Sequence, residues 1–458
     1  MYVSDTIAAI STGMNNAGIG IVRISGDSSF EIAKKLFFKK SGKSFSDLES
    51  HRVYYGFIKD GEEIIDEVLL IPLRAPRSFT KEDTIEINCH GGNLVMRRIL
   101  KLVLNSGARL AEPGEFTKRA FLNGRIDLSE AEAIIDIINS KNDLALDNSV
   151  KQLTGKLNEK IKNIRERIIY EIAYVESALD DPEHYDLEGY YERLRPVILG
   201  TIEELTRMSR SYNEGKIISE GIKTVIIGKP NVGKSSLLNI LTGEETAIVT
   251  DIAGTTRDVI EESVRIGNIS LNITDTAGVR DTDDIIEKIG VEKTYKHADI
   301  ADLIIMMIDS STELNDEDLR LFDYIRNKKA VILLNKSDLK TVTSEKDVVK
   351  HTDKRVLTIS AKDETGINEL KDCLEDMFIK GLVEYNDDMI ITSERHLNLI
   401  EESVNSLNEA LNNIDMGMPE DLVSIDMVNS YESLGKIIGE SLEDDIVEEI
   451  FSKFCMGK

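Results

Sequence analysis

Apolar and polar positions alternate in short runs over the first hundred residues of the chain. Four runs have the length and the β-branched content of strands, and they cover residues 19–24, 53–58, 67–73 and 84–88. Asn93–Asn105 then carries apolar residues at helical spacing between Gly92 and Gly107. This part of the chain therefore predicts an α+β domain.

Beyond Asp127 the apolar residues recur at steps of three and four, the spacing of long amphipathic helices. One stripe places eight residues on a single helix face: Leu153, Leu157, Ile161, Ile164, Ile168, Ile172, Val175 and Leu179. A second stripe places five: Leu397, Ile400, Val404, Leu407 and Leu411. A coiled coil would give the same spacing, but bundle helices fit better because Pro182 ends the first stripe and a second stripe exists.

Between the two stripes, apolar runs alternate with polar loops. The runs at 223–227, 270–274, 303–308, 331–334 and 356–359 are typical of buried parallel strands in a doubly wound sheet. Two helical arms around such a unit indicate one helical domain interrupted by an insertion, since chains accept an insert whose ends lie close together.

Length and charge narrow the possible partners. The 458 residues exceed the size of one hydrophobic core, so several domains are expected. With 83 acidic and 56 basic residues, the formal charge of -27 opposes unspecific adhesion to nucleic acid or anionic lipid. RNA would have to meet a local basic patch or be carried by another protein.

The chain has no long apolar run, no basic leader and no paired cysteine spacing, so it predicts a cytoplasmic protein without a membrane partner.

The run at 223–227 leads into Gly228-Lys-Pro-Asn-Val-Gly-Lys-Ser235, the phosphate-loop pattern in its required place after a strand. Its glycines let backbone N–H groups face phosphate oxygens, the Lys234 ammonium suits the outer phosphates, and the Ser235 hydroxyl suits Mg²⁺. The predicted nucleotide contacts here are Asn231, Val232, Gly233, Lys234, Ser235 and Ser236.

Two later loops predict that the base is guanine. The Asp338 carboxylate, in the loop after the fourth run, can accept two hydrogen bonds from an edge of guanine that adenine lacks. The loop after the fifth run can meet the guanine carbonyl with its backbone. The predicted contacts are Asn335, Lys336, Ser337, Asp338, Ser360, Ala361 and Lys362.

Two segments have the position of nucleotide switches. A Thr256 hydroxyl can complete Mg²⁺ coordination only when the γ-phosphate is present, and the Gly278 N–H can sense that phosphate. The predicted contacts are Thr250, Asp251, Ile252, Ala253, Gly254, Thr255, Thr256, Asp275, Thr276, Ala277 and Gly278. Val279 cannot orient an attacking water, so another group must do so.

The five loops in this order predict a GTP-hydrolysing G domain. The predicted fold class is therefore multidomain: an N-terminal α+β domain at 1–118, an α-helical bundle domain in two parts at 119–215 and 381–458, and an inserted doubly wound α/β P-loop G domain at 216–380.

Motifs on both sides of the G domain resemble the MnmE (TrmE) family of tRNA-modification GTPases, and the similarity covers essentially the whole chain. The motifs are Val22-Arg-Ile-Ser-Gly26, Phe79-Thr-Lys-Glu-Asp83, Cys89-His-Gly-Gly92, Pro113-Gly-Glu-Phe-Thr117, Arg119-Ala-Phe-Leu-Asn123 and Cys455-Met-Gly-Lys458. The G-domain motifs are shared with Era and Der. The chain has neither the second G domain of Der nor a C-terminal GxxG-type RNA-binding segment as in Era.

The resemblance implies a homodimer that works with an FAD-dependent partner of the MnmG type. Together they would add an aminomethyl or carboxymethylaminomethyl group at C5 of the tRNA wobble uridine, U34. A 5-formyl- or methylene-tetrahydrofolate would carry the one-carbon unit, and Arg23, Glu86, Arg125 and Lys458 match the positions expected to contact it. Cys455 would act on the uracil ring as nucleophile or acid, or pack as a small residue near the folate.

The resemblance also implies K⁺ at the nucleotide, held by oxygens of Asn231, Thr250, Ile252 and Thr255. Such an ion could replace an arginine finger. The position expected to place the attacking water is Glu287, with Asp283 and Asp284 as alternatives from the same segment.

Two other functions stay open on the sequence. One is a ribosome-assembly-type or membrane-linked GTPase switch that performs no modification chemistry. The other is a GTPase that senses folate supply.

Overall fold

The computed structural model describes residues 5–39, 48–181, 183–185, 187–244, 261–274, 298–378, 389–440, 444–454 and 457. Its strands are β1 Ile7–Ile10, β2 Ala17–Ser25, β3 Phe37–Phe38, β4 Tyr54–Asp60, β5 Glu63–Leu73, β6 Thr84–Gly91, β7 Arg109–Leu110, β8 Ile222–Ile227, β9 Glu261–Ile266, β10 Ile269–Thr274, β11 Leu303–Asp309, β12 Ala330–Asn335 and β13 Arg355–Thr358. Its helices are α1 Ser29–Leu36, α2 Asn93–Asn105, α3 Glu115–Leu122, α4 Leu128–Asn139, α5 Asp143–Leu153, α6 Lys156–Asp180, α7 Tyr190–Arg210, α8 Tyr212–Glu220, α9 Lys234–Glu244, α10 Asp316–Ile325, α11 Glu345–Val348, α12 Ile367–Phe378, α13 Glu394–Asp415, α14 Glu420–Ile438 and α15 Asp444–Ser452.

The first part of the chain forms a seven-stranded sheet in the order β3-β4-β5-β6-β2-β1-β7. The neighbours are antiparallel except for β1 and β7, which are parallel. Helices α1 and α2 cover one face, and their apolar residues share a core with those of the strands. Val22 and Ile24 point into this core, so Arg23 between them lies on the opposite, outer face. The predicted α+β domain is confirmed.

A second sheet has six strands in the order β13-β12-β11-β8-β10-β9. All pairs are parallel except β9 with β10 at one edge. Apolar cores lie on both faces, which explains why β11 and β12 are almost continuously apolar and why β8 is apolar from Val225 to Ile227. The predicted doubly wound α/β fold is confirmed.

The first helical stripe is confirmed over most of its length and wrong at its two ends. Leu153 closes the preceding helix α5, because Gly155 adopts a left-handed φ of 82° and separates α5 from α6. At the other end Leu179 is 53% exposed, and Ala178 takes the buried position. The buried face of α6 packs against α14, where the Arg165 guanidinium lies over the Tyr431 ring at 4.0 Å.

The chain enters and leaves the six-stranded sheet at adjacent points. The Asn148 side-chain amide donates to the Ile390 carbonyl at 3.0 Å and accepts from the Ile390 N–H at 3.0 Å. The next residue, Ile391, donates its N–H to the Ser211 hydroxyl, which lies just before α8. The segments through which the chain enters and leaves this sheet are therefore held side by side, as an inserted domain requires.

The chain divides into two compact units that each combine distant segments. One unit contains Met1–Ile135, Gln152–Tyr190 and Asn412–Lys458, and it includes the seven-stranded sheet, α6, α14 and α15. The other contains Asp136–Lys151 and Tyr191–Leu411, and it includes the six-stranded sheet.

Candidate functional site

The phosphate loop joins β8 to α9 at the carboxyl end of the six-stranded sheet. Asn231 and Gly233 both adopt positive φ angles, 59° and 103°. A side chain at Gly233 would collide with the Asn335 amide, so only glycine fits this close approach. The loop is thus shaped by its contact with the base-recognition segment.

The Lys234 side chain lies folded over the loop. Its ammonium donates to the carbonyls of Gly228 at 2.7 Å and Lys229 at 2.8 Å. Burial lowers the pKa of Lys234. A bound polyphosphate would counter this desolvation by placing negative charge beside the ammonium.

A buried ion pair fixes the second residue of the loop. The Lys229 ammonium donates to Asp318 Oδ2 at 2.6 Å, and the Asp318 side chain is 1% exposed. The same oxygen accepts from the Asn315 N–H and closes a capping box at the start of α10. The loop is therefore tied to the helix that follows β11. The sequence offered no signal for this pair beyond a lysine in the loop and an acidic helix start.

The guanine loops are joined by side-chain bonds. Asn335 donates to the Val232 carbonyl at 2.7 Å and accepts from the Ala361 N–H at 2.9 Å, so it links the phosphate loop to the segment after β13. Asp338 accepts from the Ser360 hydroxyl at 2.9 Å, and its side chain is 11% exposed. The structure thus brings three separate sequence segments to one edge of the sheet.

Lys336 reaches a carboxylate that the sequence reasoning missed. Its ammonium donates to Asp309 Oδ2 at 2.7 Å, at the end of β11. Burial would raise the pKa of Asp309, but the bonds from Lys336 and Ser311 outweigh it, and the pKa is lowered. Asp309 therefore stays ionised and holds Lys336 beside the position expected for the base.

Several predicted site residues lie outside the described residues. They are Thr250, Asp251, Ile252, Ala253, Gly254, Thr255, Thr256, Asp275, Thr276, Ala277, Gly278, Glu287, Cys455 and Lys458.

A second cluster lies in the other unit, on the outer face of the seven-stranded sheet. Arg23 on β2 and Glu86 on β6 are cross-strand partners, and their side chains form an ion pair at 2.9 Å. The Arg23 guanidinium lies over the rings of Phe79 and Phe116 at 5.8 and 5.5 Å. Arg125 lies over Phe79 at 4.7 Å and donates to its carbonyl. Phe79 thus contacts Arg23 and Arg125, and Arg23 adds Glu86, so three of the four predicted folate contacts lie in one cluster.

Cys89 and His90 do not form a catalytic constellation. The Cys89 thiol is buried, and burial raises its pKa to about 11. His90 pairs with Asp66 at 2.7 Å on the surface. Over the described part of the chain, no group of three metal-ligating side chains comes together, and no helix is long and apolar enough to cross a membrane.

Two family models match the chain. The model described as the GTP-binding protein TrmE N-terminus matches residues 6–125, and the MnmE helical domain matches residues 128–455. The tRNA modification GTPase MnmE of Lachnoclostridium phytofermentans is 55% identical over 456 residues, which cover 99% of this chain and 100% of the relative. The chain belongs to the MnmE family.

Other relatives agree with this assignment. The tRNA modification GTPases MnmE of Acetivibrio thermocellus and Bacillus subtilis are 50% and 44% identical, over 100% and 99% of this chain and 100% of each relative. Among solved structures, the G domain of the FeoB iron transporter of T. maritima is 27% identical over 34% of this chain and 97% of that chain, with a TM-score of 0.27.

The predictions of the family, of a GTPase of tRNA modification and of the multidomain fold are confirmed. The match of the MnmE helical domain starts before the six-stranded sheet and ends after it, so the G domain is an insertion in the helical domain. The individual site residues and the domain limits at 118, 215 and 380 stay predictions.

Proposed function

We propose that this MnmE-family chain hydrolyses GTP to drive modification of C5 of the tRNA wobble uridine, together with an FAD-dependent flavoprotein. An aminomethyl or carboxymethylaminomethyl group would be added with a one-carbon unit from 5-formyl- or methylene-tetrahydrofolate. The observation that carries the proposal is the cluster of Arg23, Glu86 and Arg125 around Phe79, in a chain that also holds a G domain. The proposed compartment is the cytoplasm, where tRNA is present.

The cluster has the chemistry that a reduced folate needs. The Phe79 ring offers an apolar surface to a planar pterin. Glu86, whose carboxylate Arg23 holds at 2.9 Å, can accept hydrogen bonds from the pterin donor edge, and the guanidinium group of Arg125 suits the carboxylates of the glutamate tail. Lys458 is proposed as a further contact, and Cys455 as a residue that acts on the uracil ring or packs near the folate.

A homodimer is proposed through the outer face of the seven-stranded sheet. Tyr55 and Leu69 are cross-strand neighbours on this face and are 47% and 45% exposed. Ile19 on β2 is 64% exposed. Exposed apolar side chains on a sheet face favour a subunit contact, and the face also carries Arg23 and Glu86, so a second copy would lie beside the proposed folate site.

In the G domain, Ser235 and Thr256 would ligate Mg²⁺, which neutralises phosphate charge.

We expect turnover to need K⁺ and the pairing of two G domains, with Asn231, Thr250, Ile252 and Thr255 as ion ligands. Replacing KCl by NaCl should slow GTP hydrolysis at least tenfold. This is a small part of the roughly 10³- to 10⁵-fold rate acceleration that an arginine finger supplies. In the Asn231→Ala variant, turnover in KCl and turnover in NaCl should differ much less. Steady-state turnover in the two salts measures the difference, and equal rates would contradict the role of the ion.

Glu287 is proposed to place the attacking water, since Val279 is apolar. Glu287→Ala should keep GTP affinity and lower turnover by about 10²-fold, the range for a positioning group. Nucleotide binding and single-turnover hydrolysis separate these two effects. Asp283→Ala and Asp284→Ala are the matched controls from the same segment, and a larger loss in either control would reassign the role.

The experiment that tests the whole function is mass spectrometry of wobble uridines in tRNA from a strain that lacks this gene. Loss of the C5 substituent, restored by the wild-type gene, is expected. A ribosome-assembly switch would leave U34 unchanged and alter ribosome profiles. A folate sensor would leave U34 unchanged although the purified protein retains folate.

A further inference from the structure

The charge of the chain is unevenly distributed along the sequence. The formal charge of the whole chain is -27, with 56 basic and 83 acidic residues. Residues 1–125, which contain the match to the family N-terminus, hold 18 of the basic residues and 15 of the acidic ones. This part is therefore slightly positive, while the rest of the chain is strongly negative. A polyanion that approaches the protein meets its most favourable potential here.

Within this part, five of the 18 basic side chains lie on the helices that cover the seven-stranded sheet. They are named here the basic helix layer: Lys34, Lys35, Arg97, Arg98 and Lys101. Glu31 is the single acidic residue in α1, and α2 has none in its thirteen residues. In a chain so rich in Asp and Glu, two neighbouring helices with this composition form a distinct surface.

The buried positions of the two helices explain where the basic groups point. Ile32, Leu36, Met96, Ile99 and Val103 lie in the core against the sheet. Lys35, Arg97, Arg98 and Lys101 lie between these positions in the sequence and are exposed. Arg97 and Lys101 are four residues apart and so are neighbours on the same surface of α2.

The basic helix layer is separate from the folate cluster. Arg23 and Glu86 lie on the outer face of the sheet, whereas α1 and α2 cover the inner face. A dimer formed through the outer face would leave the layer open to solvent in both copies. Within the protein, Arg98 pairs with Glu63 at 2.9 Å and Lys34 pairs with Glu31 at 3.7 Å. The charge of Lys35, Arg97 and Lys101 is not explained by these pairs, by folate carboxylates or by the proposed subunit contact.

We propose that the basic helix layer binds the sugar–phosphate backbone of tRNA. This inference rests on the proposed function, in which tRNA is the substrate. Lys and Arg side chains neutralise phosphates regardless of base sequence, so such a surface would position several different tRNAs while the modified base is read elsewhere. The negative remainder of the chain repels RNA, which favours binding on this positive part of the chain.

The test is tRNA binding by the full-length chain, with and without the flavoprotein partner, over a range of KCl concentrations. Arg97→Glu/Lys101→Glu should weaken binding at least about tenfold, and the salt dependence of the affinity should become shallower by roughly one to two units of slope. Arg97→Gln/Lys101→Gln should show a smaller loss in the same direction. GTP hydrolysis and folate retention should equal those of the wild type, since neither residue lies in those sites.

Lys346→Glu/Lys350→Glu is the control for the change in net charge, because these exposed lysines are also four residues apart and the change in net charge is the same, although Lys350 also pairs with Asp347 at 2.8 Å. Unchanged tRNA affinity in the Arg97/Lys101 variants, or an equal loss in the control, would overturn the inference. Loss of flavoprotein binding with intact tRNA binding would make the layer a protein-docking surface and also overturn it. A wild-type chain that binds no tRNA in either condition would overturn the proposed function together with the inference.

Discussion

Replacing Asp338 by Asn is expected to change the preferred nucleotide from GTP to XTP. Asp338 Oδ1 already accepts a hydrogen bond from the Ser360 hydroxyl, which would hold the oxygen of the new amide in place. The amide nitrogen would then take the position of Oδ2 and point a donor at the base. Guanine presents an N–H donor at this position, and that donor would have no acceptor. Xanthine presents a carbonyl oxygen there, which can accept a hydrogen bond from the amide nitrogen.

The expected loss of GTP affinity is about 10²- to 10⁴-fold, because one hydrogen bond is replaced by a donor facing a donor and the other loses its charged acceptor. Competition of GTP and XTP for a fluorescent nucleotide measures the change. Asp353→Asn, at an aspartate with a side chain 84% exposed, is the control for the loss of one negative charge. Unchanged selectivity in Asp338→Asn would remove Asp338 from the base site.

Deleting the last four residues, 455–458, is expected to abolish tRNA modification and to leave GTP hydrolysis intact. The described residues before and within this segment contact the N-terminal sheet domain. Gly114 approaches the Phe451 carbonyl and the Phe454 side chain, and Gly457 lies against the backbone of Ile10 and Ser11. Ile10 ends β1, and its neighbour Ala9 pairs with Arg23 in the folate cluster. The segment is therefore anchored close to the proposed folate site.

The truncated chain should fold normally because Phe451 and Phe454, which form the apolar contact, remain. U34 modification in a reconstituted assay with the flavoprotein partner is the measurement, and GTP hydrolysis by the same sample is the internal control. Cys455→Ser separates thiol chemistry from packing, since it keeps the size of the side chain. A normal modification rate after deletion would mean that these residues are a frayed end.

Sequence patterns predicted those helices and strands that are determined by the residues of the segment itself. Four strands of the first sheet and five of the second follow from apolar runs, and Asn93–Asn105 follows from helical spacing between two glycines. The boundary between α5 and α6 was missed, because apolar spacing continues across Gly155 while its left-handed backbone ends the helix. Strands β1, β3, β7 and β9 were missed as well. Glu261–Ile266 is a mixed polar segment that gains its conformation from pairing with β10.

In the candidate sites too, features encoded locally in the sequence were predicted, and features that depend on distant residues were not. The phosphate loop and the guanine loops were recognisable because their chemistry requires fixed residue types in a fixed order. The Lys229 and Asp318 pair, the Lys336 and Asp309 pair and the central place of Phe79 were not. Each depends on residues brought together by the sheets, and no local periodicity records such a pairing.

The contact of α15 with Gly114 has a consequence for synthesis on the ribosome. Phe451 and Phe454 pack with Phe121 and Leu128, yet they are made roughly 340 residues after Gly114, which takes about 20–70 s at ordinary elongation rates. During that interval the nascent N-terminal domain exposes the apolar surface that α15 later covers. The inserted G domain can fold in the meantime, so a chaperone that shields apolar surface is expected to bind the nascent chain at α3 and α4.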